Sequence, residues 1–292
     1  MRAAAIFGLG SSPKDLAPFQ KNSSVTWRIG MPSSSDADAI LIFGGDGTIH
    51  RHLPQLVKLQ LPVLAVPCGS GNDFARSLGL RGMKNSLLAW RRFAEGNDNL
   101  RTIDLGQITE ASTDPRSNKP AAPHYFCGVA GVGLDTEVAR RANRLPAWVR
   151  GHGGYALSVP GALSHFAPFP MKLLGSDGAD GWVVRSHDYT SLVAFANGPF
   201  FGGGMKIAPE ADMQDGKLDV CIVRGTNPFK LACMFPTIYF GRHLNLKPVQ
   251  YFEADRLRLE TERPLDVYAD GEFVCKTPIE VGVAPRALKV II

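Results

Sequence analysis

The sequence predicts an α/β domain built on a parallel sheet, followed by a β-rich second domain, and three observations carry that prediction. First, residues 39–43 (Ala-Ile-Leu-Ile-Phe) form an apolar run with no wet face, the pattern of a strand buried on both sides. The turn Gly44-Gly45-Asp46-Gly47-Thr48 leads from it into a helical pattern at Ile49. Second, another unit of the same kind follows at once, with a strand over 62–66, a turn over 67–73 and a helix from Phe74. Third, the alternation of strand and helix stops near residue 103, and strands dominate from about 169 onward. There Leu257 and Leu259 alternate with Arg256, Arg258 and Glu260, the period of a half-exposed antiparallel strand. The expected division is therefore 1–103 plus a returning C-terminal strand at 285–292, and 104–284.

The 292 residues suffice for one large domain or two ordinary ones, and 45% hydrophobic with 20% charged residues is the balance of a globular protein. No apolar run is long enough to span a bilayer and no charged-then-apolar leader opens the chain, so a cytoplasmic protein is expected. Cys68, Cys127, Cys221, Cys233 and Cys275 are scattered without a Cys-x-x-Cys pair, so reduced thiols are expected rather than zinc or disulfides. The formal net charge of +5 suits anionic nucleotides or an anionic membrane surface. No Lys/Arg block with interleaved aromatics suggests nucleic acid.

In chain order, a first strand is expected at 2–7, a turn at Gly8-Leu9-Gly10-Ser11-Ser12, and an N-cap with first helical position at Ser12-Pro13. A short strand at 25–29 precedes a Pro/Ser-rich loop. The helix after Thr48 sets Ile49, Leu53, Leu56 and Val57 on one face, with a kink or break expected at Pro54. Helices are expected at 83–94, 134–144 and roughly 228–241, an exposed connection at 111–123, and single strands at 125–132, 182–197, 217–223, 255–261, 265–269, 272–275, 278–283 and 287–292.

The turn at 44–48 carries the chemistry. Glycines let a ligand approach the backbone and leave N–H groups pointing outward, and the helix start that follows favours anions. Asp46 in that turn either caps the helix or faces a metal, a lysine or a hydroxyl. The turn Cys68-Gly69-Ser70-Gly71-Asn72-Asp73 offers a second glycine-rich cradle, in which the Asn72 amide suits a ribose or base. Two such units side by side can grip both ends of a nucleotide. The standard alternatives fail: there is no G-x-x-x-x-G-K-[ST] motif, and Gly8-Leu9-Gly10 and Gly131-Val132-Gly133 each lack the third glycine of a dinucleotide fingerprint.

At these residues the chain resembles the diacylglycerol kinase/sphingosine kinase catalytic superfamily, the bacterial lipid kinases in particular. The resemblance rests on Gly44-Gly45-Asp46-Gly47-Thr48 and on Pro67-Cys68-Gly69-Ser70-Gly71-Asn72-Asp73-Phe74-Ala75-Arg76. It continues through Gly202-Gly203-Gly204-Met205-Lys206-Ile207-Ala208-Pro209, Asp215-Gly216-Lys217-Leu218-Asp219-Val220 and Asp270-Gly271-Glu272. The first pentapeptide is shared with NAD kinases and phosphofructokinases; the second motif and the Asp-Gly-x-Leu-Asp segment are more particular to lipid kinases. The resemblance implies a phosphofructokinase/NAD-kinase-like N-terminal domain that binds ATP and a β-sandwich-like second domain that completes the cleft. It implies a lipid kinase of lipid metabolism, transferring the γ-phosphoryl group of ATP to a hydroxyl of a diacylglycerol-like lipid. Its partner would be a lipid at the inner face of the membrane, touched peripherally. The oligomeric state is left open, a homodimer included.

The nucleotide residues implied are Gly10, Ser11, Ser12, Gly44, Gly45, Asp46, Gly47, Thr48, Gly69, Ser70, Gly71, Asn72 and Asp73. Asp270-Gly271 between two apolar runs is a hairpin signal in its own right. The resemblance adds that the proton acceptor lies in this triplet, with Glu272 as base, Asp270 beside it, and Asp46 sharing the role or holding Mg²⁺ through water. It also implies a structural Mg²⁺ in the loop 212–217, held by Asp215 with Asp212 and the backbone of Lys217. Three departures stand out. The turn after the first strand is Phe7-Gly8-Leu9-Gly10-Ser11-Ser12 rather than an Asn-Pro-x-Ser-Gly type, the stretch before the main motif is short, and Arg51 stands where the family commonly has Glu. His50 and His52 lack the i,i+4 spacing of a metal pair. Trp148, Tyr155, Leu157, Val159, Leu163 and Phe166, with Arg144 and Arg150, read either as ordinary core and loop or as a lip docking on the membrane. A kinase of a soluble acceptor and a nucleotide-binding regulator without catalysis are the competing readings.

Overall fold

The computed structural model describes residues 1–21, 24–111, 122–145, 154–164, 166–178 and 181–292. A continuous sheet runs through both halves of the chain. At its parallel end lie β2 (Thr26–Ile29), β1 (Arg2–Phe7), β3 (Ala39–Gly44) and β4 (Val63–Pro67), in that order. The end of β15 (Ile279–Ile291) joins them in parallel, Val290 opposite Val63. Every residue of β3 is buried, as its unbroken apolar run requires. Helix α1 (Asp46–Leu59) buries Ile49, Leu53 and Leu56 against the sheet. After the short α2 (Asp73–Ser77), helix α3 (Met83–Ala94) buries Ala89 and Trp90.

The second half is antiparallel. From one edge the strands run β14 (Glu272–Lys276), β13 (Asp266–Ala269), β7 (Val129–Gly133), β9 (Trp182–Ala196), β8 (Phe169–Ser176) and β12 (Arg256–Thr261), then β15. β10 (Leu218–Arg224) pairs with β9 and with β11 (Val249–Ala254). β5 (Leu100–Glu110) pairs with β15 from Leu100 opposite Ile291 to Glu110 opposite Ile279, and its other edge takes β6 (His124–Phe126). A core of Phe126, Phe195, Leu257, Leu259, Val267 and Val281 fills this half. Helices α4 (Leu134–Arg144), α5 (Gly154–Leu163) and α6 (Pro228–Ile238) cover a further apolar cluster that includes Val138, Val159, Leu163 and Leu231.

Several elements differ from the sequence expectation for identifiable reasons. The strand expected at 125–132 is split into β6 and β7, because the N–H groups of Cys127 and Gly128 turn away to the Asp270 carboxylate. The strands expected at 278–283 and 287–292 are one strand, β15. Its register shifts between Ala284 and Leu288, where Arg286 adopts a φ of 51°. α1 runs unbroken past Pro54, which lies on its exposed side, away from the buried Ile49, Leu53 and Leu56. Ser12 caps only a single 3₁₀ turn, Pro13–Leu16. β8 and β11 were not expected as separate strands. The expected connection at 111–123 falls mostly outside the described residues, as do Trp148, Arg150 and the side chain of Tyr155.

One buried carboxylate holds the two halves at their seam. Asp104, on β5, accepts N–H bonds from Gly216 at 2.9 Å and from Arg286 at 2.6 Å, and its own N–H donates to the carbonyl of Met213 at 2.7 Å. Asp104→Ala strands two N–H donors, at a cost of about 1–3 kcal/mol each when they stay buried. Urea unfolding is expected to show a loss of about 3 kcal/mol, with a smaller loss for Asp104→Asn.

Candidate active site

The site forms where the C-terminal ends of β1, β3 and β4 release their turns. The first turn is tied down locally. Gly8 donates to Phe43 O at 2.8 Å, and the Ser11 hydroxyl donates to the carbonyls of Gly8 and Phe43 at 2.9 and 2.6 Å. Ser12 donates its N–H to Asp15 at 2.7 Å. Gly10, at φ 86°, abuts the Cys68 carbonyl. The Thr48 side chain packs on Gly8 and Gly44, in space that a Cβ on either would need.

The second and third turns touch each other directly. A Cβ on Gly69 would lie 2.4 Å from the Cα of Gly45, so both positions exclude a side chain. Asn72, at φ 56°, folds its amide back on Gly69, accepting its N–H at 2.9 Å and donating to its carbonyl at 2.6 Å. That amide therefore shapes its own turn first. Asp46 crosses from one turn to the other: its two carboxylate oxygens accept the N–H groups of Asp73 and Phe74, each at 3.0 Å. It caps not its own helix but the start of α2. The N–H groups of Asp46 and Gly47, in the first turn of α1, are of the kind that a helix leaves without an intrahelical carbonyl.

The second half closes over this floor at two points. Asp73 pairs with Arg76 and accepts the Gly203 N–H at 2.7 Å, and Arg76 also donates to the Gly71 carbonyl at 3.2 Å and stacks over Phe200. The loop that answers it carries Gly202, Gly203 and Gly204, all at positive φ. At the other point the β13–β14 hairpin arrives. Asp270 and Gly271, at φ 49° and 83°, make the tight turn that the Asp-Gly pair signals. Asp270 is anchored by the N–H of Cys127 at 3.0 Å, the N–H of Gly128 at 2.7 Å and His50 Nδ1 at 3.1 Å. Glu272, exposed, sets its carboxylate against Gly47, with Oε1 2.7 Å from where a Cβ on Gly47 would stand. Asp46 and the hairpin residues Asp270 and Glu272, more than 220 positions away in sequence, thus surround the start of α1.

Burial first, and neighbouring charge second, shift the ionisable groups of this cluster. Burial, with the charges of Asp73 and Asp270 added, pushes the Asp46 carboxyl up to about 6 against the opposing N–H bonds from Phe74 and Asp73. Burial also raises Asp73, against its bonds to Gly203 and Arg76. Burial opposes the charging of His50, but its bond to Asp270 and the charges of Asp270 and Glu272 outweigh that and hold its pKa above the usual value.

The loop 212–217 is separate from this cluster. Asp212 Oδ1 accepts the Gln214 N–H at 3.0 Å, Asp215 Oδ1 accepts the Lys217 N–H at 2.9 Å, and the Lys217 ammonium meets Glu253 at 2.5 Å. Among the described residues no three His, Cys, Asp or Glu side chains gather to hold a metal. The donor set of the loop, two exposed carboxylates and backbone carbonyls, is all oxygen and suits a hard, water-rich cation. Sequence reasoning missed Asp104, which fastens this loop through Gly216, and the bond of His50 to Asp270, since it weighed His50 only against a metal pair. It also missed Asp135, at the start of α4, whose carboxyl burial pushes up to about 7 and whose Oδ1 finds no partner among the described residues. The usable signal there was an Asp just after a strand ending in glycine.

Comparison with known proteins matches this geometry. Residues 29–108 match the model of the diacylglycerol kinase catalytic domain, and residues 128–292 match that of the YegS C-terminal NAD kinase beta sandwich-like domain. The chain is 35% identical to a diacylglycerol kinase of Mycobacterium tuberculosis over 254 residues, 87% of this chain and 76% of that one. It is 27% identical to a diacylglycerol kinase of Bacillus subtilis over 256 residues, 87% of this chain and 77% of that one. The crystal structure of a diacylglycerol kinase from Bacillus anthracis aligns with a TM-score of 0.68 at 20% identity, covering 99% of this chain and 96% of that one. An NAD kinase from Archaeoglobus fulgidus in complex with ATP aligns with a TM-score of 0.53 at 15% identity, covering 100% of this chain and 94% of that one. The two solved structures speak for the fold, which is the α/β-plus-β-rich arrangement the sequence predicts.

The raised Asp46 carboxyl makes a signed prediction. Below about pH 4 it is protonated folded and unfolded, and contributes no pH-dependent term. As pH rises through 4 to 6 the unfolded chain ionises first, so the folded state loses stability relative to it. Asp46→Asn removes that term. The stability difference, variant minus wild type, is expected to rise by about 2–3 kcal/mol between pH 4 and pH 7 and then level off, read by urea unfolding across pH.

Proposed function

The chain belongs to the diacylglycerol kinase family, and from that premise we propose that it is an ATP-dependent lipid kinase transferring the γ-phosphoryl group to a hydroxyl of a diacylglycerol-like lipid. The observation that carries the reading is the hairpin that sets Glu272 against Gly47, at the start of α1. A phosphoryl group received by the N–H groups of Asp46 and Gly47 would lie beside a carboxylate able to accept a proton. Phosphoryl transfer asks for positioning and charge stabilisation more than for covalent chemistry, and this arrangement supplies both.

The hydrogen bonds support a division of roles among the carboxylates. Asp270 is buried, and both its oxygens already accept bonds from Cys127, Gly128 and His50. Asp46 spends both oxygens on α2. Glu272 is exposed at the hairpin and is the carboxylate open to an acceptor hydroxyl, so it is the general base, with Asp270 positioning it. Asp46 acts as the clamp that keeps the two glycine turns in register under the nucleotide. Mg²⁺, held by Asp215 with Asp212 and the backbone near Lys217, would supply structural neutralisation in the loop fastened by Asp104. No helix among the described residues is long and apolar enough to cross a membrane, and the enzyme would reach its acceptor by peripheral contact at the inner membrane face.

Labelled ATP offered with a panel of detergent-dispersed lipids, beside a panel of soluble metabolites including NAD and sugar phosphates, tests the assignment by product mass. A phosphorylated lipid is expected, and a phosphorylated soluble acceptor alone would overturn it. Glu272→Gln is expected to lower turnover by about 10²–10⁴-fold with an unchanged urea midpoint. Asp270→Asn is expected to lower turnover and shift the midpoint as well, because its carboxylate anchors the hairpin.

A further inference from the structure

Helix α6 is apolar on both sides, which is unusual for a helix at a protein surface. Its inner side carries the buried Leu231 and the partly buried Met234, Phe235 and Ile238, packed in the cluster that also takes Phe201. Its outer side repeats the pattern. Phe229 is 78% exposed, Ala232, Cys233 and Pro236 are exposed, and Phe240, just past the helix end, is 72% exposed. These positions recur at helical spacing and form one face. Leu157, 64% exposed, lies on α5, which packs against α6.

Within the segment that carries this face the formal charge has one sign. From 220 to 252 the chain carries no Asp or Glu. Lys230, Arg242 and Lys247 are exposed and make no ion pair among the described residues. An apolar face rimmed by cations fits the headgroup region of an anionic bilayer, where each basic residue adds attraction and each aromatic anchor buries apolar area. A two-fold contact with a second copy would set the same cationic rim against itself, which disfavours a self-interface. The face also adjoins the cleft. Lys206, beside the Gly202–Gly204 turn, donates its N–H to Ile238 O at 3.1 Å. Tyr239 is near enough to Asp73 for that charge, after burial, to raise its pKa.

We propose that the outer face of α6, anchored by Phe229, Cys233 and Phe240 within a rim of Lys230, Arg242 and Lys247, docks the protein on an anionic lipid bilayer and turns the cleft toward it. The docking stands on the surface itself; only its use in delivering a lipid acceptor rests on the lipid-kinase reading.

Cosedimentation of the full chain with sucrose-loaded vesicles tests this, comparing phosphatidylcholine alone with phosphatidylcholine containing phosphatidylglycerol. The wild type is expected to bind the anionic vesicles preferentially. Phe229→Ser with Phe240→Ser is expected to weaken that binding about tenfold or more, and Lys230→Glu with Arg242→Glu to abolish the preference for anionic vesicles. An environment-sensitive fluorophore on Cys233, the exposed thiol, is expected to shift to the blue on anionic vesicles. All variants should keep the wild-type urea midpoint and their turnover of a short-chain lipid dispersed in detergent. Vesicle binding unchanged in the Phe229/Phe240 variant would overturn the proposal, as would a concentration-dependent dimer that this variant dissolves in the absence of vesicle binding. Vesicle binding through α6 with no lipid phosphorylated would leave the surface standing and sink the lipid-kinase reading. Micellar turnover without vesicle binding would do the reverse.

Discussion

The bond on which this structure turns is the one from the Asp46 carboxylate to the N–H groups of Asp73 and Phe74. It joins the start of α1 to the start of α2, across two turns that already touch through Gly45 and Gly69. Past the strand ends the ladder continues through the Cys68 N–H to Gly44 O at 3.0 Å, and the rest of the turns' relative position has to be set by side chains or by contact. Here both are used. The contact needs two residues without Cβ, and the carboxylate needs to be charged in a place where burial and two other carboxylates resist charging. That strain is of the kind retained where a site must be held open in one shape.

The second half of the chain is fitted to this floor by polar bonds at its two corners. Asp73 and Arg76 receive the glycine loop at 202–204, and Asp270 is received by Cys127, Gly128 and His50. Between the corners, β5 and β15 pair on both sides of a register shift between Ala284 and Leu288, and β15 goes on to pair with β4 in the parallel half. The seam is therefore a pair of strands whose ladder is interrupted at 285–287, and there Asp104 braces it by accepting the Arg286 N–H. Glu272 gains its position from that rigidity: it stands on a two-residue hairpin whose first member is pinned on three sides.

Much of the fold was legible because it rests on local patterns. The unbroken apolar run of β3, the glycine turns, the apolar stripe of α1 and the helices α3 and α4 follow from periodicity and turn chemistry. The failures came where distant groups intervene. Nothing near Cys127 announces that its N–H will leave the strand for Asp270, and nothing near Pro285 announces that two apolar segments continue as one strand. Within the site, the Asp270-Gly271 turn was readable as a turn, whereas its carboxylate's partners were not. The Asn72 amide was readable as a donor and acceptor, but its engagement with Gly69 depends on the left-handed backbone at Asn72 itself.

What the sequence by itself determined was which residues carry chemistry and which local shapes present them: glycines where the backbone must turn or be approached, and carboxylates at turns and strand ends. Only the tertiary structure decided what each carboxylate does. Asp46, Asp270 and Glu272 are equivalent acids in the sequence, yet one caps a neighbouring helix, one anchors a hairpin and one is left exposed beside Gly47. The same holds for α6, expected only as a helix, of which the fold alone shows that a second apolar face meets water. The physical reason is common to both cases. A side chain's role is set by the hydrogen-bond partners and the water that surround it, and those come from parts of the chain that lie far away in sequence.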